Sequence, residues 1–158
     1  MKPAAPWDAE RAAEIIEAHR QEPGALLPIL HALAEAFGYI DEEAVPAIAG
    51  ALNLSRAEVH GVVSFYHDFH DHPPGAHVLR LCRAEACQAM GGDALAAAAR
   101  ERLRLEWGET SADGNVTLEA VFCLGLCACA PAAMLDGKVV GRLNRTRLDA
   151  LLDQARRP

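Results

Sequence analysis

Four of the five cysteines fall into two short pairs, Cys82 with Cys87 and Cys123 with Cys127. Each pair follows an apolar, strand-like run: Val78, Leu79 and Leu81 lead into Cys82, and Val116-Thr117-Leu118-Glu119-Ala120-Val121 leads to Cys123. If four thiolates are to meet at one centre, the two runs must be strands whose C-terminal ends share an edge. Between them lie Gly91-Gly92 and an Ala-rich stretch, from about Asp93 to Leu105, that predicts a helix. A strand, a crossover helix and a second strand pair in parallel, which brings the loops after both strands to the same side. Further on, Ala133-Met134-Leu135 turns at Asp136-Gly137 into Lys138-Val139-Val140, a hairpin signature, and a last helix is expected over about Arg145 to Ala155.

The first half has a different period. Asp8 is placed to cap a helix carrying Ala12, Ile15 and Ile16, which ends near Pro23-Gly24. A second helix from about Ala25 has a wide apolar face of Leu26, Leu27, Ile29, Leu30, Leu33 and Phe37, with Pro28 in its first turn and Gly38 as a stop. Asp41 opens a third, through Val45, Ile48 and Leu52. Ser55 with Glu58 reads as a capping box for a fourth, which runs through Val59, Val62, Val63, Phe65 and Tyr66. His70-Asp71-His72-Pro73-Pro74-Gly75 then breaks the pattern. Two domains are expected, a helical bundle over 1–74 and a sheet-containing domain over 75–158.

Composition narrows the function. Apolar residues make up 51% of the 158, ample for a packed core. The net charge is −7, with 4 basic against 12 acidic residues in 1–74 and 11 against 10 in 75–158. No basic stripe is present to neutralise phosphates, which argues against a nucleic-acid partner. The acidic half reads as a well-solvated surface. No apolar stretch reaches the roughly 20 residues of a membrane span, and Met1-Lys2-Pro3-Ala4-Ala5-Pro6-Trp7 has no apolar signal core. A cytoplasmic protein without direct membrane insertion is expected. An odd count of five cysteines in a reducing compartment favours metal ligation over disulfides.

The spacing is Cys, four residues, Cys, 35 residues, Cys, three residues, Cys. Zinc knuckles usually carry two-residue gaps, and none occurs here. Four widely spaced thiolates in small-residue loops suit a two-iron cluster, one pair to each iron, with backbone N–H groups near the sulfides. Gly91, Gly92 and Gly125 are expected to permit that approach. A single zinc in an interaction module is the alternative at this point, and a metal-free set of thiols is another.

The segments Cys82-Arg83-Ala84-Glu85-Ala86-Cys87-Gln88-Ala89-Met90-Gly91 and Cys123-Leu124-Gly125-Leu126-Cys127, the latter followed by Ala130-Pro131, resemble the iron–sulfur subunit family of NADH:quinone oxidoreductase. Val59-His60-Gly61-Val62-Val63-Ser64-Phe65-Tyr66 adds to the likeness, which covers about Ile15 to Leu152. The resemblance implies an α+β (α/β) architecture, with an N-terminal helical bundle followed by a thioredoxin-like [2Fe–2S] domain. Cys82, Cys87, Cys123 and Cys127 would be the ligands of one [2Fe–2S] cluster. Within this family the Cys82–Gly91 segment is most similar to the gamma subunit of NAD-dependent, molybdenum-containing formate dehydrogenases. The resemblance then implies electron exchange with the FMN of an NAD-binding flavoprotein subunit, alongside a molybdenum-containing catalytic subunit. FMN, NAD and the molybdenum cofactor would sit on those partners, and no catalytic residue is expected on this chain. The equivalent subunit of the respiratory enzyme or of an NAD-reducing hydrogenase is the neighbouring reading.

Several residues beside the motif carry their own expectations. Arg83, the nearest basic side chain to the cysteines in sequence, is read as a solvent-facing loop residue, with stabilisation of a reduced cluster as its functional alternative. Cys129 is expected to be a buried, inert thiol. The Cys-x-Cys formed with Cys127 also raises a dithiol oxidoreductase, which lacks the Cys-x-x-Cys at a helix start that lowers a thiol's pKa. Pro131 stands where thioredoxin-like folds carry a cis-proline. His67, His70, His72 and His77 share no helical face and are read as solvated loop histidines. Phe65 and Tyr66 are read as packing residues.

Overall fold

The computed structural model describes residues 5–156. Residues 1–4 and 157–158 fall outside it, including the first four of the stretch read for a leader. The chain divides into two compact units, with the division between Pro73 and Pro74.

The first unit is four helices: α1 (Ala9–His19), α2 (Leu26–Phe37), α3 (Ala44–Leu52) and α4 (Arg56–Phe65). Asp8 caps α1, its carboxylate accepting from the N–H groups of Glu10 and Arg11 at 3.0 and 3.1 Å. Gly38 ends α2 in the left-handed region, φ +84°, where its N–H donates to Ala34 O at 2.8 Å. The third helix starts later than expected. Asp41 accepts from Glu43 N at 2.9 Å and stabilises a turn ahead of Ala44 instead of the helix itself. The Ser55–Glu58 capping box is present on α4 in both directions. Ile29, Leu30, Leu33 and Phe37 of α2 are buried with Ile16, Ile48, Val59 and Val63 in one core.

Phe65 and Tyr66 are not in that core. They are 72% and 43% exposed, with their rings 5.1 Å apart edge to face. Val59 and Val63, four residues apart, take the inward face of α4, so Phe65, two positions on, falls on the far side. The aromatic that packs is Phe69, beyond the helix, 7% exposed and 5.1 Å from the His31 ring.

The second unit is a four-stranded sheet with three helices: β1 (His77–Cys82), α5 (Glu85–Ala89), α6 (Gly92–Leu103), β2 (Val116–Val121), β3 (Ala133–Leu135), β4 (Lys138–Val140) and α7 (Arg145–Ala155). The strand order is β2-β1-β3-β4. β1 runs parallel to β2, as the crossover requires, and antiparallel to β3. The hairpin turn Asp136-Gly137 has positive φ at both residues, 50° and 81°, the two-residue turn whose twist matches flanking strands. Leu79 and Leu81 of β1, Val116 and Leu118 of β2, Ala96 and Ala99 of α6, and Leu148 and Leu152 of α7 form the core. Each fully buried leucine or valine contributes roughly 1.5–3 kcal/mol through loss of apolar surface to water. The crossover helix stops earlier than expected, at Leu103, because Arg104 adopts φ +56°.

Candidate metal centre

The register sets the site. Cys82 pairs with Val121 across the parallel strands, so the loops leaving β1 and β2 start level with one another. The end of β1 is held from both sides, by Cys82 N–H to Ala132 O at 3.0 Å and Arg83 N–H to Val121 O at 2.8 Å. From there α5 carries Cys87 back towards Cys82, and both are buried, 2% and 6% exposed. This five-residue helix is absent from the sequence reading, because one turn and a half has no periodicity to recognise.

The glycines divide by role. A Cβ on Gly92 would lie 2.5 Å from the Cys87 carbonyl oxygen, so α6 approaches the cysteine loop only because this residue has no side chain. Gly91 and Gly125 have open space and serve instead through backbone conformation, with φ +85° and +74°. No protein atom lies within 4 Å of a Cβ built on either, which leaves the space around both backbones open. Cys123 itself takes φ +142°, a region that non-glycine residues seldom enter. Cys127 opens a 3₁₀ turn, Cys127–Cys129.

The second pair is at the surface. Cys123 and Cys127 are exposed, their sulfurs 3.8 Å apart, and Gly125 N–H donates to Cys123 Sγ at 3.3 Å. Burial pushes the Cys87 thiol up, and its hydrogen bond with Cys82 adds to this, as does the charge of Cys127, while the backbone of Ala132 acts the other way. Cys127 is also raised, first by its hydrogen bond with Cys123, then by that group's charge, and further by Cys82. Cys82 thus acts on a thiol of each pair, Cys87 and Cys127. A metal that takes them as thiolates must displace protons, which its positive charge favours.

The residues present fit a two-metal centre. Two thiolates on one tetrahedral ion at bond lengths of roughly 2.3 Å lie about 3.8 Å apart, the separation of Cys123 and Cys127. Among the described residues no three His, Cys, Asp or Glu side chains group as for a single ion. Two irons sharing sulfides need only one protein pair each. Cys82, Cys87 and Ala132 form an apolar cluster of their own, with Ala84, Val121, Leu124, Leu126 and Ala130 packed on it. Small apolar walls of this kind restrict water around such a centre.

The remaining expectations resolve differently. Arg83 is half-buried, its guanidinium over the Trp107 ring and paired with Asp93, so it is not the solvent-facing residue expected. Cys129 is half-buried within the 3₁₀ turn; the strand alternation that would have buried it does not exist there. The Ala130–Pro131 peptide is cis. His67 and His72 are exposed, but His77 is a strand residue whose Nδ1 lies 2.7 Å from Asp136 Oδ2. No helix among the described residues is long and apolar enough to cross a membrane.

Known proteins place this arrangement. Residues 12–156 match the family described as thioredoxin-like [2Fe–2S] ferredoxin. The HndA component of the NADP-reducing hydrogenase of Solidesulfovibrio fructosivorans is 32% identical over 139 residues, 88% of this chain and 81% of its own length. A component of the NADH-quinone oxidoreductase of Escherichia coli (strain K12) is 32% identical over 148 residues, 92% of this chain and 89% of the relative. A crystal structure of NAD⁺-reducing [NiFe]-hydrogenase in the H₂-reduced state superposes with a TM-score of 0.67 at 30% identity, covering 82% of this chain. This chain spans only 22% of that hydrogenase chain. Helical bundle, mixed sheet and paired cysteine loops together are those of a protein belonging to the thioredoxin-like [2Fe–2S] ferredoxin family, which carries one [2Fe–2S] cluster.

Proposed function

We propose that Cys82 and Cys87 hold one iron of the cluster and Cys123 and Cys127 the other, and that the chain is the electron-transfer subunit of an NAD-linked oxidoreductase. The observation that carries this reading is the level register of Cys82 with Val121, which starts both cysteine loops from one sheet edge. When bound, the cluster supplies a site that accepts and releases one electron at a time. The chain's own residues fix its surroundings. Cys82 and Cys87 anchor it in the apolar cradle, where Ala84, Val121 and Ala130 limit water. Cys123 and Cys127 hold it at the surface, where a partner's redox group can come close. The Gly125 N–H, donating to Cys123 Sγ, stabilises negative charge on that sulfur and so favours reduction.

The partner in this reading is a flavoprotein subunit whose FMN exchanges single electrons with the cluster and hydride with NAD⁺. The finer assignment is to a cytoplasmic formate dehydrogenase with a molybdenum subunit, resting on the wording of the Cys82–Gly91 segment. A hydrogenase is the second reading, favoured by the likeness to HndA and to the NAD⁺-reducing enzyme. Affinity capture of the chain from its host without oxygen decides between them. Molybdenum, FMN and formate-dependent NAD⁺ reduction in the captured complex are expected. Nickel with hydrogen-dependent reduction would move the protein to the hydrogenase branch. One zinc per chain and no sulfide would sink the electron-transfer reading.

A further inference from the structure

Arg83 is held more firmly than its loop position requires. Its N–H donates to Val121 O at 2.8 Å and its carbonyl accepts from Gln88 Nε2 at 2.8 Å, tying the ends of β1 and β2 to α5. Its Cζ lies 5.4 Å from the centroid of Trp107, and Nη2 lies 3.3 Å from Asp93 Oδ1. Trp107 also takes the Arg100 guanidinium, at 5.9 Å, so one indole is fixed by two cations. The Arg83 side chain is 34% exposed, whereas Asp93 is 59% exposed. Arg83 Nε is buried with no hydrogen-bond partner among the described residues.

Desolvating a guanidinium N–H without a partner is unfavourable, and a solubility role gives no reason for it. A half-buried cation acts on nearby buried charge more strongly than one in water, and salt screens it less. Asp93, exposed and paired with a single Nη, only partly offsets that cation. Reduction adds one negative charge to a cluster bound by Cys82, the residue immediately before Arg83. We propose that Arg83 is a positioning residue that raises the cluster's reduction potential, acting as a fixed cation on the residue that follows Cys82, without joining the ligand set. Trp107 and Asp93 hold the guanidinium in place. This rests on the ligand assignment above.

The test is EPR-monitored redox titration of the full chain, loaded without oxygen, as wild type, Arg83→Gln, Arg83→Lys and Asp93→Asn. Arg83→Gln lowers the reduced-to-oxidised ratio at a fixed poise at least threefold, about 28 mV at 59 mV per decade for one electron. Arg83→Lys keeps most of the wild-type potential. Asp93→Asn, which removes the counter-carboxylate, shifts the potential upward. An unchanged potential in a fully loaded Arg83→Gln overturns the proposal, as does an equal fall in Arg83→Lys. If Arg83→Gln takes up no cluster, Asp93→Asn decides, and an unmoved potential there overturns it. Absence of a cluster signal from the wild type would instead count against the ligand assignment.

Discussion

Asp136 Oδ2 lies 2.7 Å from His77 Nδ1 although 59 residues separate them, and Asp136 Oδ1 accepts the Val78 N–H at 2.9 Å. Asp136 is also the first residue of the hairpin turn, with φ +50°. One carboxylate therefore fastens the β3–β4 hairpin to the start of β1. Asp136→Ala should destabilise the protein by about 1–3 kcal/mol, because a half-buried backbone donor and the histidine both lose their acceptor. Asp136→Asn keeps an acceptor for Val78 and should lose less. Thermal unfolding of the full chain followed by circular dichroism measures both, and equal melting of wild type and Asp136→Ala would refute the anchor.

The cysteines separate cleanly by substitution. Cys123→Ser should abolish or strongly impair cluster assembly, since it removes half of a pair whose sulfurs are 3.8 Å apart. Cys129→Ser should leave iron and sulfide content at the wild-type level. Iron and acid-labile sulfide assays after anaerobic purification check this, and equal loss in both variants would remove the assignment.

The two adjacent glycines should fail for different reasons. Gly92→Ala brings a methyl group to 2.5 Å from a backbone oxygen, so the α5–α6 junction must shift. A cost of about 1–3 kcal/mol follows from overpacking, and cluster retention falls because Cys87 shifts with its carbonyl. Gly91→Ala meets nothing within 4 Å but must hold φ +85°, costing about 1–2 kcal/mol in backbone strain. Its effect should appear in stability with little loss of cluster. Melting temperature and cluster absorbance, measured on the same samples, distinguish the two.

The capping box predicts an acid response. The Ser55 N–H and then the Ser55 hydroxyl hold the Glu58 carboxyl below the usual carboxylate range. Because the folded value is the lower one, this contribution is complete above the ordinary carboxyl range, about 4.3. It is lost as pH falls through the depressed value. Ser55→Ala should cost about 0.5–2 kcal/mol at neutral pH and flatten that acid limb. Unfolding midpoints in urea, measured from pH 7 down to about 3, would expose a contrary result as parallel curves for wild type and variant.

What could be read from the chain beforehand depended on how local its cause was. The Asp136-Gly137 turn and the Ser55–Glu58 cap are set within short segments, the parallel pairing follows from the handedness of a crossover through one Ala-rich helix, and all three appear. Helix α5 was invisible because its stability comes from the loop it closes around Cys87 and not from five residues of pattern. The exposure of Phe65 and Tyr66 depended on which residues of α4 the core had already taken. The stacking of Arg83 on Trp107 joins residues with the chain of α5 and α6 between them, so adjacency to Cys82 in sequence gave no sign of the environment the side chain occupies. The cysteine pairs stand out in the sequence because a metal centre demands a donor type as well as a spacing, whereas apolar packing accepts many substitutes.

The parallel pairing of β1 with β2 has a consequence for the order of biosynthesis. Register partners such as Arg80 and Glu119 are 39 residues apart, and contacts this distant form late compared with the near-neighbour contacts of the helical unit. A nascent chain emerges from its N-terminus, so the four-helix unit can fold while β1 still waits for β2, β3 and β4. At that stage Cys82 and Cys87 have left the ribosome with no opposing loop beside them. On the ligand assignment above, the four thiols are therefore offered together only once the loop after β2 has been made and paired beside β1.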